Sequence, residues 1–472
     1  MLISARSLIP CLIVSSCFAS CAGDDGGRPS ATSFTGGASA TQGITSASGG
    51  GSEGSSGASA SGGDGSAGGD ESGEGPTSGP KLDLDDSDDT LGGGGDCGPW
   101  TPKFKESFAH IWIANSPEGT VSKIEVKTGI ERARYRVGPG LTNPSRTSVN
   151  LAGDVAVADR AGGITKIAGA AERCVESNGI AGIQTSTGAG EVLPWGEDEC
   201  VLWRVDLPDG AGMELHSAGP RPIAWEAAVD HALCPTVNPR VWVGWYDYPT
   251  KTGNFRRLDG KSGAILDEVS VPQWGDLKHG PYGGAVDREG DFWALGWSKG
   301  PLVRIDSETL EVERIEIEAP PGGAKFYLYG IAVDRDGNPW LAGEQTVYRY
   351  DRGKGTWTHL TIPTGRMRGL QIDRFGRAFI ALNNPAGLVV VDTESAAIVA
   401  PTVTIPGAMM PVGVSIDVDG AVWVVDRDAD RAFKIDPITY AVLMEVAGLS
   451  DPYTYSDMTG AGLSLVTYPP EG

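Results

Sequence analysis

Long apolar runs are missing from this 472-residue chain apart from one short stretch near its start, so no lasting membrane-spanning helix is expected. Histidine is scarce: five residues lie scattered, without the H-E-x-x-H or comparable spacing that a zinc centre needs, and no metal site is expected. Positive charge is also short, with 38 Lys and Arg against 61 Asp and Glu and a formal net charge of −23. A phosphate backbone demands a basic surface, so nucleic acid is excluded as a partner.

What is present begins with Met1-Leu-Ile-Ser-Ala-Arg6, one positive charge followed by an apolar run from Leu8 to Ala19. That is the form of a secretory signal. It ends in Phe18-Ala19-Ser20-Cys21, which resembles the lipobox of bacterial lipoproteins; Val14-Ser15-Ser16-Cys17 is a competing match. The resemblance implies that Cys21 is lipidated and opens the mature chain. With Ala22 rather than Asp after it, the resemblance implies an anchor in the outer membrane. The expected address is the cell envelope, on the periplasmic side or at the cell surface.

Residues 22–96 are Gly, Ser, Ala, Thr, Asp and Glu with Phe34 as the one aromatic, too little apolar surface to offset ordering entropy. Arg28 and Lys81 face a large excess of acids there, so about half of the net charge sits in what reads as a disordered tether. A flexible coil of about 75 residues spans roughly 45 to 50 Å on average.

From Cys97 to Gly472 the chain repeats itself. Gly284-Ala-Val-Asp-Arg-Glu-Gly-Asp-Phe-Trp293, Ile331-Ala-Val-Asp-Arg-Asp-Gly-Asn-Pro-Trp340, Leu370-Gln-Ile-Asp-Arg-Phe-Gly-Arg-Ala-Phe379 and Val414-Ser-Ile-Asp-Val-Asp-Gly-Ala-Val-Trp423 align. Weaker copies surround Trp112, Ser148 to Ala156, and Ala228-Val-Asp230 with Val241-Trp242. Each unit reads as a short strand ending in Asp, a tight turn, a strand carrying Trp or Phe, a third ending in Lys-Ile or Arg-Ile, and an alternating fourth. Such units cannot bury their faces alone; stacked radially they make an all-β, seven-bladed β-propeller. The unit of Trp112 lacks a first strand, and a spare one lies at Tyr453 to Leu463. The C-terminal strand is therefore expected to close the ring, leaving no free edge and a monomer. An insertion at about 170–200 breaks the spacing.

Gly330-Ile-Ala-Val-Asp-Arg-Asp-Gly-Asn-Pro-Trp-Leu-Ala-Gly-Glu344 and Pro411-Val-Gly-Val-Ser-Ile-Asp-Val-Asp-Gly-Ala-Val-Trp-Val-Val-Asp426 resemble the repeats of NHL-like and streptogramin-lyase-like propellers, the group that includes virginiamycin B lyase. The lyase resemblance implies a His and Glu cluster around a divalent cation at one channel end. Glu344 takes the Trp-x-x-x-Glu position, and no His follows it closely.

Gly296-Trp297-Ser298-Lys299-Gly300 fits the G-x-S-x-G pattern of a serine nucleophile, which needs a strand feeding a helix. Pro-Leu-Val-Arg-Ile-Asp follows instead, so a turn between strands is expected and no catalytic residue is assigned. Asp426-Arg-Asp-Ala-Asp430 and Glu176-Ser-Asn-Gly-Ile-Ala-Gly-Ile183 resemble calcium loops but lack residues such loops require. For an exported chain, Cys174 with Cys200 and Cys97 with Cys234 are the expected disulfides, free thiols being the alternative. Ligand contacts are expected at the channel mouth, from Arg146, Arg221, His279, Tyr329, Glu344, Arg368 and Asp426. Arginines beside aromatics can grip a carboxylate or a sugar. The expected role is binding of a glycan, peptide or envelope protein without a cofactor. The alternatives are a lyase or hydrolase, which would need a divalent cation, and a scaffold within an envelope complex.

Overall fold

One acid organises most of the repeat units, with Asn150 in that place in the second sheet. In the computed structural model, which describes residues 108–208, 218–226, 240–275, 278–323 and 326–467, Asp334 is buried at the end of a strand. Its Oδ1 accepts the backbone N–H groups of Asp336 at 3.0 Å and Asn338 at 2.9 Å, closing the turn, while Oδ2 accepts Trp340 Nε1 at 2.9 Å. Gly337 takes the one position with a left-handed φ, +82°. Asp287 holds Trp293 Nε1 in the same way at 2.8 Å, and Asp417 holds Trp423 Nε1 at 2.8 Å. The carboxylates that mark the repeat in the sequence are thus structural.

Among the described residues these units build six antiparallel sheets. The first holds β1 (His110–Asn115), β2 (Thr120–Glu125) and β3 (Glu131–Arg136); the second holds β4 (Pro144–Val149), β5 (Val155–Asp159), β6 (Gly163–Ile167) and β7 (Val201–Asp206). The third holds β8 (Ile223–Trp225), β9 (Arg240–Asp247), β10 (Thr252–Asp259) and β11 (Ile265–Val271); the fourth holds β12 (Pro281–Val286), β13 (Phe292–Gly296), β14 (Leu302–Ile305) and β15 (Val312–Ile315). The fifth is six-stranded, with β16 (Leu328–Val333), β17 (Pro339–Asp351), β18 (Thr356–Ile372), β19 (Arg377–Asn383), β20 (Gly387–Asp392) and β21 (Ala397–Thr404). The last holds β22 (Pro411–Ile416), β23 (Val422–Asp426), β24 (Arg431–Ile435) and β25 (Val442–Ala447), and a short helix α1 (Ala461–Thr467) ends the described chain.

The fold is an all-β propeller, with six sheets where seven separate blades were expected. The difference lies in the fifth sheet, which contains the units of both Trp340 and Phe379. There β18 runs without a break from one unit into the next: Thr356–Thr361 pair with β17 and Arg366–Ile372 with β19. A second correction concerns the third sheet. Its inner strand is Ile223–Trp225, with Glu226 accepting Trp242 Nε1 in the role of the repeat acid; Ala228-Val-Asp230 lies outside the described residues.

The ring closes where the sequence places its seam. Tyr453 N–H donates to Ala114 O at 3.0 Å and Trp112 N–H to Met458 O at 2.9 Å, so residues 452–458 lie along β1. They form a strap rather than the expected regular strand. Pro452 has no N–H to give, and Ala114 N–H is taken by the Thr454 hydroxyl at 2.7 Å instead of a carbonyl. The chain then turns into α1, so Ala461 to Leu463 are helical and not strand.

Four cations each tie a sheet to the one that follows it. Lys123 Nζ donates to Gly169 O at 2.7 Å, Lys166 Nζ to Gly260 O at 3.0 Å and Arg257 Nη1 to Ser307 O at 2.6 Å. Lys434 Nζ donates to Val126 O at 2.9 Å, from the last sheet to the first.

Residues between β6 and β7 form the insertion, and Cys174 is bonded to Cys200 across it. Cys17, Cys21, the tether and the Cys97 with Cys234 pairing lie outside the described residues. Closing a loop of about 27 residues contributes on the order of 3 kcal/mol. Replacing both Cys174 and Cys200 by serine should lower unfolding stability by about that amount in denaturant titration; an unchanged midpoint would show that the loop is held without the bond.

Candidate functional site

Five residues before each turn acid, or before Asn150 in the second sheet, the inner strands and the residues leading into them carry Ser145, Arg221, Tyr282, Tyr329, Arg368 and Val412. Register slips by one residue at this level in β4, β12, β16, β18 and β22. Such bulges re-aim a side chain at a strand end. One residue later stand Gly283, Gly330, Gly369 and Gly413, where neighbouring inner strands nearly touch: a Cβ on Gly330 would sit 2.4 Å from Arg368 O.

The result is a buried layer of arginine and tyrosine. Arg146, Arg221, Arg368, Tyr282 and Tyr329 are each at most 1% exposed. The strap adds Tyr453 and Tyr455 from the far end of the chain. Tyr453 OH meets Tyr282 OH at 3.3 Å and also bonds Tyr329 OH. Arg368 lies 4.4 Å over the Tyr329 ring and Arg221 5.3 Å over Tyr282. Arg146 is packed between the Tyr282 and Tyr455 rings. These stacked pairs gain more when desolvated than at a surface.

Above this layer a second tier is set by a repeated backbone bond between the loop leading into each inner strand and the loop that joins the second and third strands. Arg160 N–H donates to Asn143 O, Trp297 to Gly280 O, Glu344 to Tyr327 O and Arg427 to Met410 O, at 2.9 to 3.1 Å. The Tyr327 ring packs edge-on against Trp297 at 5.1 Å, with Arg366 4.9 Å over its face. His279 packs against Trp297 at 4.8 Å and Tyr282 at 5.6 Å. Trp297, Tyr327, Arg366 and Arg427 are half-buried, so this tier is where the layer meets solvent.

The residues expected at the mouth are therefore placed as follows. Arg146, Arg221, Tyr329 and Arg368 come together in the buried layer, deeper than loop residues of a solvated mouth would lie. His279 and Glu344 belong to the upper tier, with a Glu344 Oε2 lying 3.7 Å from Arg366 Nη2. Asp426 is turned into its own loops, where its carboxylate accepts N–H groups of Met409, Met410 and Ala429 at 2.8 to 3.0 Å. Ser298 has φ +60° and exchanges two backbone bonds with Leu328, at 3.2 and 3.1 Å; β14 follows, as the turn reading requires. Tyr282, Tyr453 and Tyr455 were not expected. The Tyr-Gly pair shared by residues 282–283 and 329–330 was the available signal for Tyr282; nothing local marks the other two.

Arg146 is the electrostatic oddity. Nε and Nη2 both donate to Tyr282 O, at 3.3 and 2.7 Å, while Nη1 has no partner among the described residues. Burial lowers its pKa to about 9, with the hydroxyls of Tyr282, Tyr329 and Tyr453 opposing the shift and the Arg221 guanidinium adding a smaller push downward.

At the opposite end of the inner strands a cavity is lined by Ser148, Ile223, Gly284, Ile331, Gln371 and Leu463 of α1. Asp457 points to the helix there, accepting Gly460 N–H at 2.8 Å and Leu463 N–H at 3.2 Å. Burial pushes its carboxyl pKa up against those bonds.

No family model and no curated protein matches the chain. Several solved structures do. Hydrazine synthase of Kuenenia stuttgartiensis is similar with a TM-score of 0.51 at 11% identity, over 71% of this chain and 94% of that one. Virginiamycin B lyase of Staphylococcus aureus is similar with 0.45 at 17% identity, over 66% and 87%. AztD of Citrobacter koseri is similar with 0.45 at 12% identity, over 73% and 96%. The likeness is one of fold alone. No three His, Cys, Asp or Glu side chains converge in a metal-holding group among the described residues.

Proposed function

We propose that this chain is a binding propeller of the cell envelope, carried on a flexible tether from a lipid anchor at Cys21, whose arginine-lined channel mouth takes an acidic glycan without chemical conversion. The observation that carries the reading is the concentration of Arg146, Arg160, Arg221, Arg366, Arg368 and Arg427 around one end of the inner strands of a chain with net charge −23. Half-buried Trp297 and Tyr327 add flat apolar faces of the kind that rest against sugar rings. A lyase reading needs His and Glu around a cation. Here Glu344 faces Arg366, and His279 is packed among aromatic rings, so those side chains do not fit it.

The test is calorimetric titration of the full-length protein with uronic-acid oligosaccharides and with their neutral counterparts. The acidic series should bind, weaken as salt is raised, and lose about tenfold in affinity in Arg366→Ala, the half-exposed arginine of the upper tier. Equal affinity for neutral and acidic sugars, or none for either, would end this reading.

A further inference from the structure

Arg146 poses a problem that the fold does not solve by itself. A guanidinium with no exposure keeps its charge only where other groups answer it, and the usual answer is a carboxylate. Among the described residues none forms an ion pair with Arg146. Its bonded acceptor is a single neutral carbonyl, Tyr282 O, which takes both Nε and Nη2. Beside it, Tyr455 is 3% exposed and its hydroxyl is also without a partner among the described residues. Two donors of complementary kind, one charged and one neutral, are therefore left over within one packed cluster, Arg146 lying against the Tyr455 ring. Buried polar atoms in folded proteins are satisfied with few exceptions, and exceptions that cluster mark a missing partner. A water cannot supply the charge. A second guanidinium, Arg221, faces the same Tyr282 ring.

We infer that the Arg146 Nη1 and Tyr455 hydroxyl pair is the floor of the binding site and holds one carboxylate group, reached from the tier of Trp297, Tyr327 and Arg366. A carboxylate is the anion that fits. Its two oxygens accept from both groups at once, the planar fork of arginine matches it, and a phosphate would bring a second charge into a layer that leaves few donors free. Tyr455 arrives with the strap that closes the ring, so the site is complete only in the closed propeller. This inference deepens the acidic-ligand reading and rests on it for the route of access, but a free small carboxylate and the carboxylate of a larger sugar share the same floor chemistry.

Sodium acetate, sodium glucuronate and sodium chloride at equal ionic strength separate these cases, with the thermal midpoint of the full chain and calorimetric affinity as readouts. Acetate and glucuronate should both raise the midpoint saturably over chloride. Tyr455→Phe, which keeps the ring, should weaken acetate at least about fivefold, and Arg146→Met should abolish the effect; if Arg146→Met does not fold, Tyr455→Phe decides. Glucuronate tighter than acetate, with Tyr327→Ala returning it to the acetate value, assigns the carboxylate to a ring-bearing ligand. Glucuronate no tighter than acetate keeps the floor site and removes the glycan reading. Identical midpoints in all three salts, or a carboxylate effect that survives Tyr455→Phe unchanged, overturn the inference.

Discussion

Gly413→Val is expected to destabilise the protein by about 4 kcal/mol or more, among the largest losses a single substitution produces. A Cβ at Gly413 would lie 1.7 Å from Thr454 O and 2.8 Å from Thr454 C, so backbone on one side of the seam must move. The strap cannot yield cheaply, because Tyr453 N–H is bonded to Ala114 O and the Thr454 hydroxyl to Ala114 N–H, at 3.0 and 2.7 Å. Losing it would also withdraw Tyr453 and Tyr455 from the arginine layer and leave β1 with a bare edge. Gly190→Ala is the control. Nothing stands within 4 Å of a Cβ there, and the change should stay within about 0.5 kcal/mol. Guanidinium titrations of the two variants make the comparison; similar midpoints would mean that the seam does not carry the fold.

Asp417→Ala should cost about 3 to 5 kcal/mol, and clearly more than the equivalent Asp373→Ala. The fully buried Asp417 carboxylate accepts Asp419 N–H at 3.0 Å, Ala421 N–H at 2.9 Å, Trp423 Nε1 at 2.8 Å and Lys434 Nζ at 2.7 Å. Burial raises its pKa, and Lys434 is the chief group pulling it back down. Alanine would strand the indole N–H and leave the Lys434 ammonium with Val126 O. Asp373 serves a unit whose aromatic is Phe379, which asks for no hydrogen bond, and the Arg377 guanidinium it contacts keeps Pro437 O at 2.9 Å. Its loss should cost about 1 to 3 kcal/mol. Equal effects in urea titration would show that the indole bond and the lysine contribute nothing beyond the turn itself.

The difference between those two acids also explains what could be read in the chain before its structure. The acid, the glycine three residues on and the aromatic six residues on interact with one another, so their spacing is fixed locally and survives as a pattern. The seam was legible for a related reason: a first unit without an inner strand and a last segment without a unit are each other's complement. Where one unit ends and the next begins was less legible. β18 contains Pro363 and Gly365, the latter at φ +101°, and strand pairing resumes directly after them, so these turn-forming residues do not divide the fifth sheet in two. The third sheet was misread because Glu226 does the work of aspartate, while Ala228-Val-Asp230 imitates the motif.

Of the candidate site, the arginines were visible because each stands beside an inner strand, but their depth was not. Arg146 and Arg368 look like loop residues until the bulges at Ser145 and Arg368 are known. Tyr453 and Tyr455 reach Arg146 from more than 300 positions away, and only ring closure makes them neighbours.

The ties made by Lys123, Lys166 and Arg257 run the same way, each forward to the next sheet, and the tie from Lys434 to Val126 O continues that order across the seam. Like overlapping shingles on a round roof, the modules have a direction but no beginning. Phe108 packs against Gly460, so the two ends of the described chain already meet. A circularly permuted chain, joined near those residues and opened instead in the exposed stretch around Gly190, would keep every one of these bonds while moving its covalent break to another module.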